Sequence, residues 1–145
     1  RSPAWASTAV EDYLTRFPRD WKVELKTVKE EPRHGQSKSD LMAAEADRIR
    51  KAIPKGSLLV TLDERGKDLT TVNFAKKLSA WQDSGESVAF VIGGTDGIDP
   101  ELKKESRMMI RLSSMTLPHA LARVILSEQI YRAWSILNNH PYHRA

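Results

Sequence analysis

Ser87-Val88-Ala89-Phe90-Val91-Ile92-Gly93-Gly94 is the stretch on which the fold turns. Its apolar residues follow one another without a break and end in two glycines. A strand that buries one face alternates apolar with polar positions. A continuous run needs cover on both faces, which strands of a parallel sheet receive from crossover helices. Ser57-Leu58-Leu59-Val60-Thr61-Leu62 has the same character, and Met108 to Leu112 is a shorter apolar segment read as a strand. Between these runs lie segments of helical period. The alternation predicts an α/β fold with a mostly parallel sheet and helices on both faces.

Working outward, Thr70 is placed to cap a helix that runs to about Gln82 and buries Val72, Ala75, Leu78 and Trp81. Asp99-Pro100 supplies an N-cap and a first-turn proline for a short helix to about Ser106. Asp63 to Lys67 reads as a polar loop. Upstream, a helix from about Ser39 carries the stripe Leu41, Met42, Ala46, Ile49 and Ile53, and Pro54 and Gly56 close it. Ala4 to Arg16 is a further helix, with Trp5, Val10, Tyr13, Leu14 and Phe17 near one face, ended by Pro18 and Asp20. Trp21 to Val28 alternates and is predicted to be a half-exposed strand. Lys29 to Lys38 has no periodicity, holds Pro32 and Gly35, and reads as a mobile loop. An α/β fold that starts on a helix is unusual, so a first strand is expected ahead of Arg1, outside this chain.

Pro118 opens the last helix, which runs to about Leu137. Leu121, Val124, Ile125, Leu126, Ile130, Tyr131, Ala133, Trp134, Ile136 and Leu137 spread round most of its circumference. A helix apolar on nearly every side needs cover on several sides. In a small domain a second subunit can supply part of it, so a homodimer is expected.

The 145 residues fit one domain, 1–145, and neither repeat nor linker divides them. No apolar run approaches the length that spans a bilayer, and no membrane association is expected. There is no cysteine, which excludes disulfides and thiolate chemistry and fits a reducing cytoplasm, the expected location. A net charge of +4 suits a polyanionic partner without demanding one.

In an open parallel sheet, ligands bind beyond the carboxyl ends of the strands. Three such ends share the needed character: Leu62-Asp63, Ile92-Gly93-Gly94, and the loop Leu112-Ser113-Ser114-Met115-Thr116-Leu117. Backbone donors in the last could read an adenine edge or ribose hydroxyls. Gly93 and Gly94 either let a ligand approach the backbone or only make a tight turn. No dinucleotide fingerprint, Walker loop, nucleophile elbow or zincin motif occurs. His119, His140 and His143 cluster late in the chain, but without cysteines or a close carboxylate no metal site is expected. The tail Asn138 to Ala145 is aromatic, cationic and rich in donors. It is suited to an unpaired RNA nucleotide, or it frays as chain ends do. Arg123 and Arg132 either extend a basic surface or are solvated.

At this point the residues resemble a known family. Phe90-Val91-Ile92-Gly93-Gly94-Thr95-Asp96-Gly97, Leu112 to His119, Glu128-Gln129-Ile130-Tyr131-Arg132-Ala133-Trp134 and Asn139-His140-Pro141-Tyr142-His143-Arg144 are similar to the RlmH family. Leu62-Asp63, Gly66-Lys67 and Arg16-Phe17-Pro18 add to the match. These are small single-domain enzymes of the SPOUT class that methylate N3 of a pseudouridine in large-subunit (23S) ribosomal RNA on the ribosome. The resemblance implies a C-terminal trefoil knot and S-adenosyl-L-methionine (SAM) as methyl donor. It implies SAM contacts at Leu62, Gly93, Leu112, Ser113, Ser114, Met115, Thr116 and Leu117. It also implies a homodimer in which one subunit's tail completes the other's pocket. His119, Tyr142 and Arg144 are expected to shape the catalytic site. Family members begin with a strand that has no counterpart here. A SPOUT enzyme acting on another RNA such as tRNA, or a non-catalytic ribosome-binding protein of this fold, are the rival readings.

Overall fold

The computed structural model describes residues 3–28, 35–93 and 97–144. Its elements follow as α1 (Ala4–Leu14), α2 (Lys38–Ala52), β1 (Leu58–Asp68), α3 (Thr71–Asp83), β2 (Val88–Ile92), α4 (Pro100–Glu105), β3 (Met108–Arg111) and α5 (His119–Leu137). The continuous apolar runs form one three-stranded sheet in the order β2-β1-β3, with both pairings parallel. β2 and β3 are therefore each reached by a crossover, and all carboxyl ends point to one edge.

Helices cover both faces, as the unbroken apolar runs require. Leu58, Val60 and Ile110 point toward α3 and α5, where they meet Phe74, Ala75, Leu78, Trp81, Leu126, Ile130 and Ala133. Leu59 and Val91 point the other way and pack with Ala46 and Ile49 of α2, Ile98, and Leu102 of α4. Leu102 is fully buried, a burial that stabilises by about 1.5–3 kcal/mol. Two sequence signals set helix starts as expected. The Thr70 hydroxyl accepts from Asn73 N–H at 3.1 Å, and Asp99 accepts from the N–H groups of Glu101 and Leu102.

Several expectations need correction. Trp21–Val28 is extended but pairs with no strand among the described residues. Trp21 and Val23 still pack on the main core, so the alternation marks a segment that reaches the core with alternate side chains and has no ladder partner among the described residues. Asp63–Lys67 is not a free loop, because β1 runs on to Asp68. Leu62 and Lys67 both lie opposite Ile110, so the register shifts and the intervening residues form a bulge. Gly66 permits this: a Cβ there would sit 2.5 Å from the Ile110 carbonyl carbon. Helix α1 stops at Leu14, and Trp5 is 56% exposed. Val72, at 45%, also faces solvent, and Phe74 takes the core position instead. Of the expected mobile loop, residues 29–34 lie outside the described residues, as do 94–96 of the glycine-rich turn.

Helix α5 obtains much of its cover from its own chain. Helix α1 and the turn after it lie along its outer side, with Phe17 edge-on to Tyr131 at 5.5 Å and stacked on Trp21 at 6.0 Å. Leu121, Val124 and Ile125, on its N-terminal half, are only half-buried.

Candidate active site

The parallel register brings three expected segments to one edge. Leu62 pairs with Ile92 on one side and Ile110 on the other, so Asp63 at the start of the β1 bulge, Gly93 after β2 and Leu112 after β3 come to neighbouring positions. Gly93 is tightly enclosed: a Cβ would lie 2.6 Å from Ile98 Cγ1 and 2.8 Å from the Gly97 carbonyl carbon. After β3, Leu112 packs against the core, while Ser114, Met115 and Thr116 are exposed. The Ser113 hydroxyl accepts from Met115 N–H at 2.9 Å and pins the loop's turn. The N–H groups of Ser114, Thr116 and Leu117 make no backbone hydrogen bond within the described residues.

Partly buried Leu62 and Leu112, with three loop N–H groups that no backbone carbonyl of the described residues accepts, suit an adenosine-sized group. Charge at this edge is settled by Asp63 and Lys103, 2.7 Å apart, with the carboxylate 11% exposed. Burial alone would raise the Asp63 carboxyl. The Lys103 ammonium, the Arg65 N–H bond and the Arg65 charge together outweigh burial and hold it below the usual aspartate range.

His119 sits at the N-terminus of α5, half-buried, on the loop that leaves β3. The tail residues lie elsewhere. Asn139 takes a left-handed φ of 56°, and His140 N–H reaches back to the Ser135 carbonyl at 2.8 Å. This is a Schellman ending with asparagine in place of the usual glycine, and it turns the tail back along α5. The Tyr142 hydroxyl donates to Glu128 Oε2 at 2.7 Å and lies 3.3 Å from the Tyr13 hydroxyl. Its ring meets Tyr131 edge-on at 4.7 Å and lies under the Arg132 guanidinium at 4.9 Å. Burial pushes the Tyr142 phenol well above the ordinary tyrosine range, and the bonds to Tyr13 and Glu128 push the same way. At neutral pH it is a neutral hydroxyl and no base. Arg144 is exposed beyond it.

Within one chain His119 and Tyr142 are therefore not brought together. Tyr142 meets α5 at Glu128, nine residues beyond His119, which is roughly 13 Å along the axis. A separate cleft of about 460 Å3 opens at the opposite edge, by Leu58 and Arg107. There Arg50 is held by Glu105 at 2.6 Å, far from the loops that could take an adenosine. Among the described residues no group of three or more His, Asp or Glu side chains is placed to hold a metal ion.

The family model described as "Predicted SPOUT methyltransferase" matches residues 1–143. The chain belongs to the SPOUT methyltransferase family. Among curated proteins it is 54% identical to "Ribosomal RNA large subunit methyltransferase H" of Bordetella avium (strain 197N), over its full length and 94% of that protein. The proteins of the same name from Burkholderia ambifaria (strain MC40-6) and Burkholderia thailandensis are each 52% identical over the same shares. The expectation of an RlmH-type SPOUT methyltransferase is met.

Sequence reasoning missed Lys103 as the partner of Asp63. It also missed Glu128 and Tyr13 as the partners of Tyr142. Glu128 and Arg132 stand four residues apart on a helix, the spacing at which opposite charges pair, and that signal was there to find. Nothing local links Tyr13 to Tyr142.

Proposed function

We propose that this chain transfers a methyl group from SAM to N3 of a pseudouridine in the 23S RNA of the large subunit, acting as a homodimer on cytoplasmic ribosomes. The reading rests chiefly on one observation: full-length identity above half to proteins named for large-subunit ribosomal RNA methylation. The shared edge formed by Leu62, Gly93 and Leu112–Leu117 supports it. In the SPOUT arrangement this edge belongs to the trefoil knot.

The residues at that edge fit the cofactor. The N–H groups of Ser114, Thr116 and Leu117 would hold the adenine, Leu62 and Leu112 would flank it, and Ser113 and Met115 would fix the loop's shape. Gly93, closed in by Ile98 and Gly97, would set the course of the backbone beside the cofactor. Bound there, SAM supplies an electrophilic methyl carried on a sulfonium. The chain's part is to hold the base in line with that methyl, a positioning effect worth up to about 7–11 kcal/mol. The N3–H proton leaves as the N–C bond forms. His119, beside the loop, is the group to orient the base or take the proton. Tyr142, a neutral donor, orients the base or supports the residue that touches it. Arg144 stabilises the developing anion or binds phosphate. The separation of His119 from Tyr142 along α5 supports a site completed by the tail of a second copy.

Tritiated SAM is the test, with large subunits or ribosomes lacking the modification. Label in a pseudouridine of the large-subunit RNA is expected. No transfer to any RNA, with no heat of SAM binding by calorimetry, would overturn the enzymatic reading in favour of a binding protein. Transfer to tRNA in competition with ribosomes would correct the substrate alone.

A further inference from the structure

One face of α5 carries three polar side chains that each hold a partner in the tail. Glu128, Arg132 and Ser135 are spaced by four and three residues and so line up along the helix. Glu128 Oε2 accepts from the Tyr142 hydroxyl at 2.7 Å and pairs with the Arg132 guanidinium at 2.7 Å. Arg132 Nη1 donates to the His143 carbonyl at 3.1 Å, and its guanidinium covers the Tyr142 ring. The buried Ser135 hydroxyl bonds His143 Nδ1 at 2.9 Å, while its carbonyl accepts from His140 N–H. Each rung carries a different tail atom, and two of them involve a charge. The Glu128 side chain is only 18% exposed, where such bonds are less screened than at the open surface.

A tail that only needed to be quiet would not require this ladder, since the aromatic contacts of Tyr142 with Tyr131 already cover its ring. What the ladder adds is direction. It fixes the backbone at His143, so that Arg144, at a left-handed φ of 41°, leaves the helix at a set point and stays exposed. We propose that Glu128, Arg132 and Ser135 are positioning residues: they hold the tail on α5 so that Arg144 is presented in a fixed orientation to the reacting nucleotide. The inference deepens the methyl-transfer reading and rests on it. None of the three need touch substrate or cofactor.

The test uses the full chain with Glu128→Gln, Glu128→Ala, Arg132→Lys, Arg132→Ala and Ser135→Ala. Three readouts are taken together: steady-state methyl transfer, SAM affinity by calorimetry, and hydrogen exchange of the peptide covering residues 138–144. For Glu128→Ala and Arg132→Ala, kcat should fall about 10- to 100-fold, the size expected when a charge-assisted bond is lost. SAM affinity should stay within about twofold. Amide protection should fall in the tail and remain in the α5 peptide. Glu128→Gln keeps an acceptor for Tyr142 and should recover part of kcat, whereas Arg132→Lys, which cannot span both Glu128 and the His143 carbonyl, should recover little. A released tail with wild-type kcat would overturn the proposal while leaving the functional reading intact. So would a tail that stays protected in both alanine variants. If the wild-type chain transfers no methyl group, the functional reading itself falls.

Discussion

Replacing Gly93 with alanine tests whether the cofactor edge is as tightly built as its geometry says. The new Cβ would lie 2.6 Å from Ile98 Cγ1, 2.8 Å from the Gly97 carbonyl carbon and 2.9 Å from the Ile98 nitrogen. Carbon contacts settle near 3.5–4.0 Å, so residues 97–98 must retreat by roughly 1 Å. Two of the three atoms are backbone, and Ile98 is buried against Leu59, Val91 and Leu102, so the retreat strains the core beneath α4. Gly93 does not occupy the left-handed region, so the whole cost is contact rather than conformation. Overpacking of this kind costs about 1–3 kcal/mol. At about 2–4 °C per kcal/mol for a chain near this size, Tm should fall measurably. Gly93 itself follows Ile92, the ladder partner of Leu62, and an error of about 1 Å there can cost a hundredfold in a positioned reaction. SAM binding is therefore expected to weaken roughly tenfold or more. Urea unfolding and SAM calorimetry on one preparation measure both effects. Ile98→Ala removes one of the three clashes but leaves a cavity of its own, so the double variant should lose less stability than the sum of the two single variants. An unchanged urea midpoint with unchanged SAM affinity would refute the packing argument. Lost stability with intact SAM binding would detach Gly93 from the cofactor edge.

Gly66→Ala should destabilise by a similar amount, about 1–3 kcal/mol, because its Cβ would meet the Ile110 backbone within the β1 bulge; chemical denaturation reads it, and a loss below about 0.5 kcal/mol would contradict the close approach. The depressed Asp63 carboxyl predicts an acid limb. Its ionised form is favoured by folding, so its contribution is complete above the unfolded value of about 3.9 and is lost as pH falls through the folded one. Urea unfolding of wild type and Asp63→Asn between pH 2 and 6 should therefore converge in the acid, and parallel curves would count against the Lys103 pairing. Tyr142→Phe removes the hydroxyl between Glu128 and Tyr13 while keeping the ring. Methyl transfer should drop about tenfold with SAM affinity unchanged, and equal losses in both would point to misfolding instead.

The unbroken apolar runs at β1 and β2, the Thr70 and Asp99-Pro100 caps and the Pro118 start were all legible in the chain, because each rests on local chemistry. The strand expected at Trp21–Val28 was not, since alternation reports half-burial but cannot supply a neighbour. Polarity at Asp63–Lys67 reports solvent contact, and it hid a backbone that goes on pairing. There Gly66 was the better signal, as an isolated glycine in a strand often marks a bulge or close backbone approach. At the site, the three strand ends could be placed from fold rules alone. The partners of Tyr142 could not, because Tyr13 lies 129 positions away and only the packing of α1 on α5 brings them together.

The Schellman turn at Asn139 divides the chain into two parts of unequal resistance. Before it, α5 contributes Leu126, Ile130 and Ala133 to the main core and opens only when the whole domain opens. After it, the tail is held by polar rungs and a few ring contacts. Segments so attached detach in local openings at much lower free energy than global unfolding. Heated gradually, the protein should stop methylating while its ellipticity is still intact, and on cooling it should recover without having to refold.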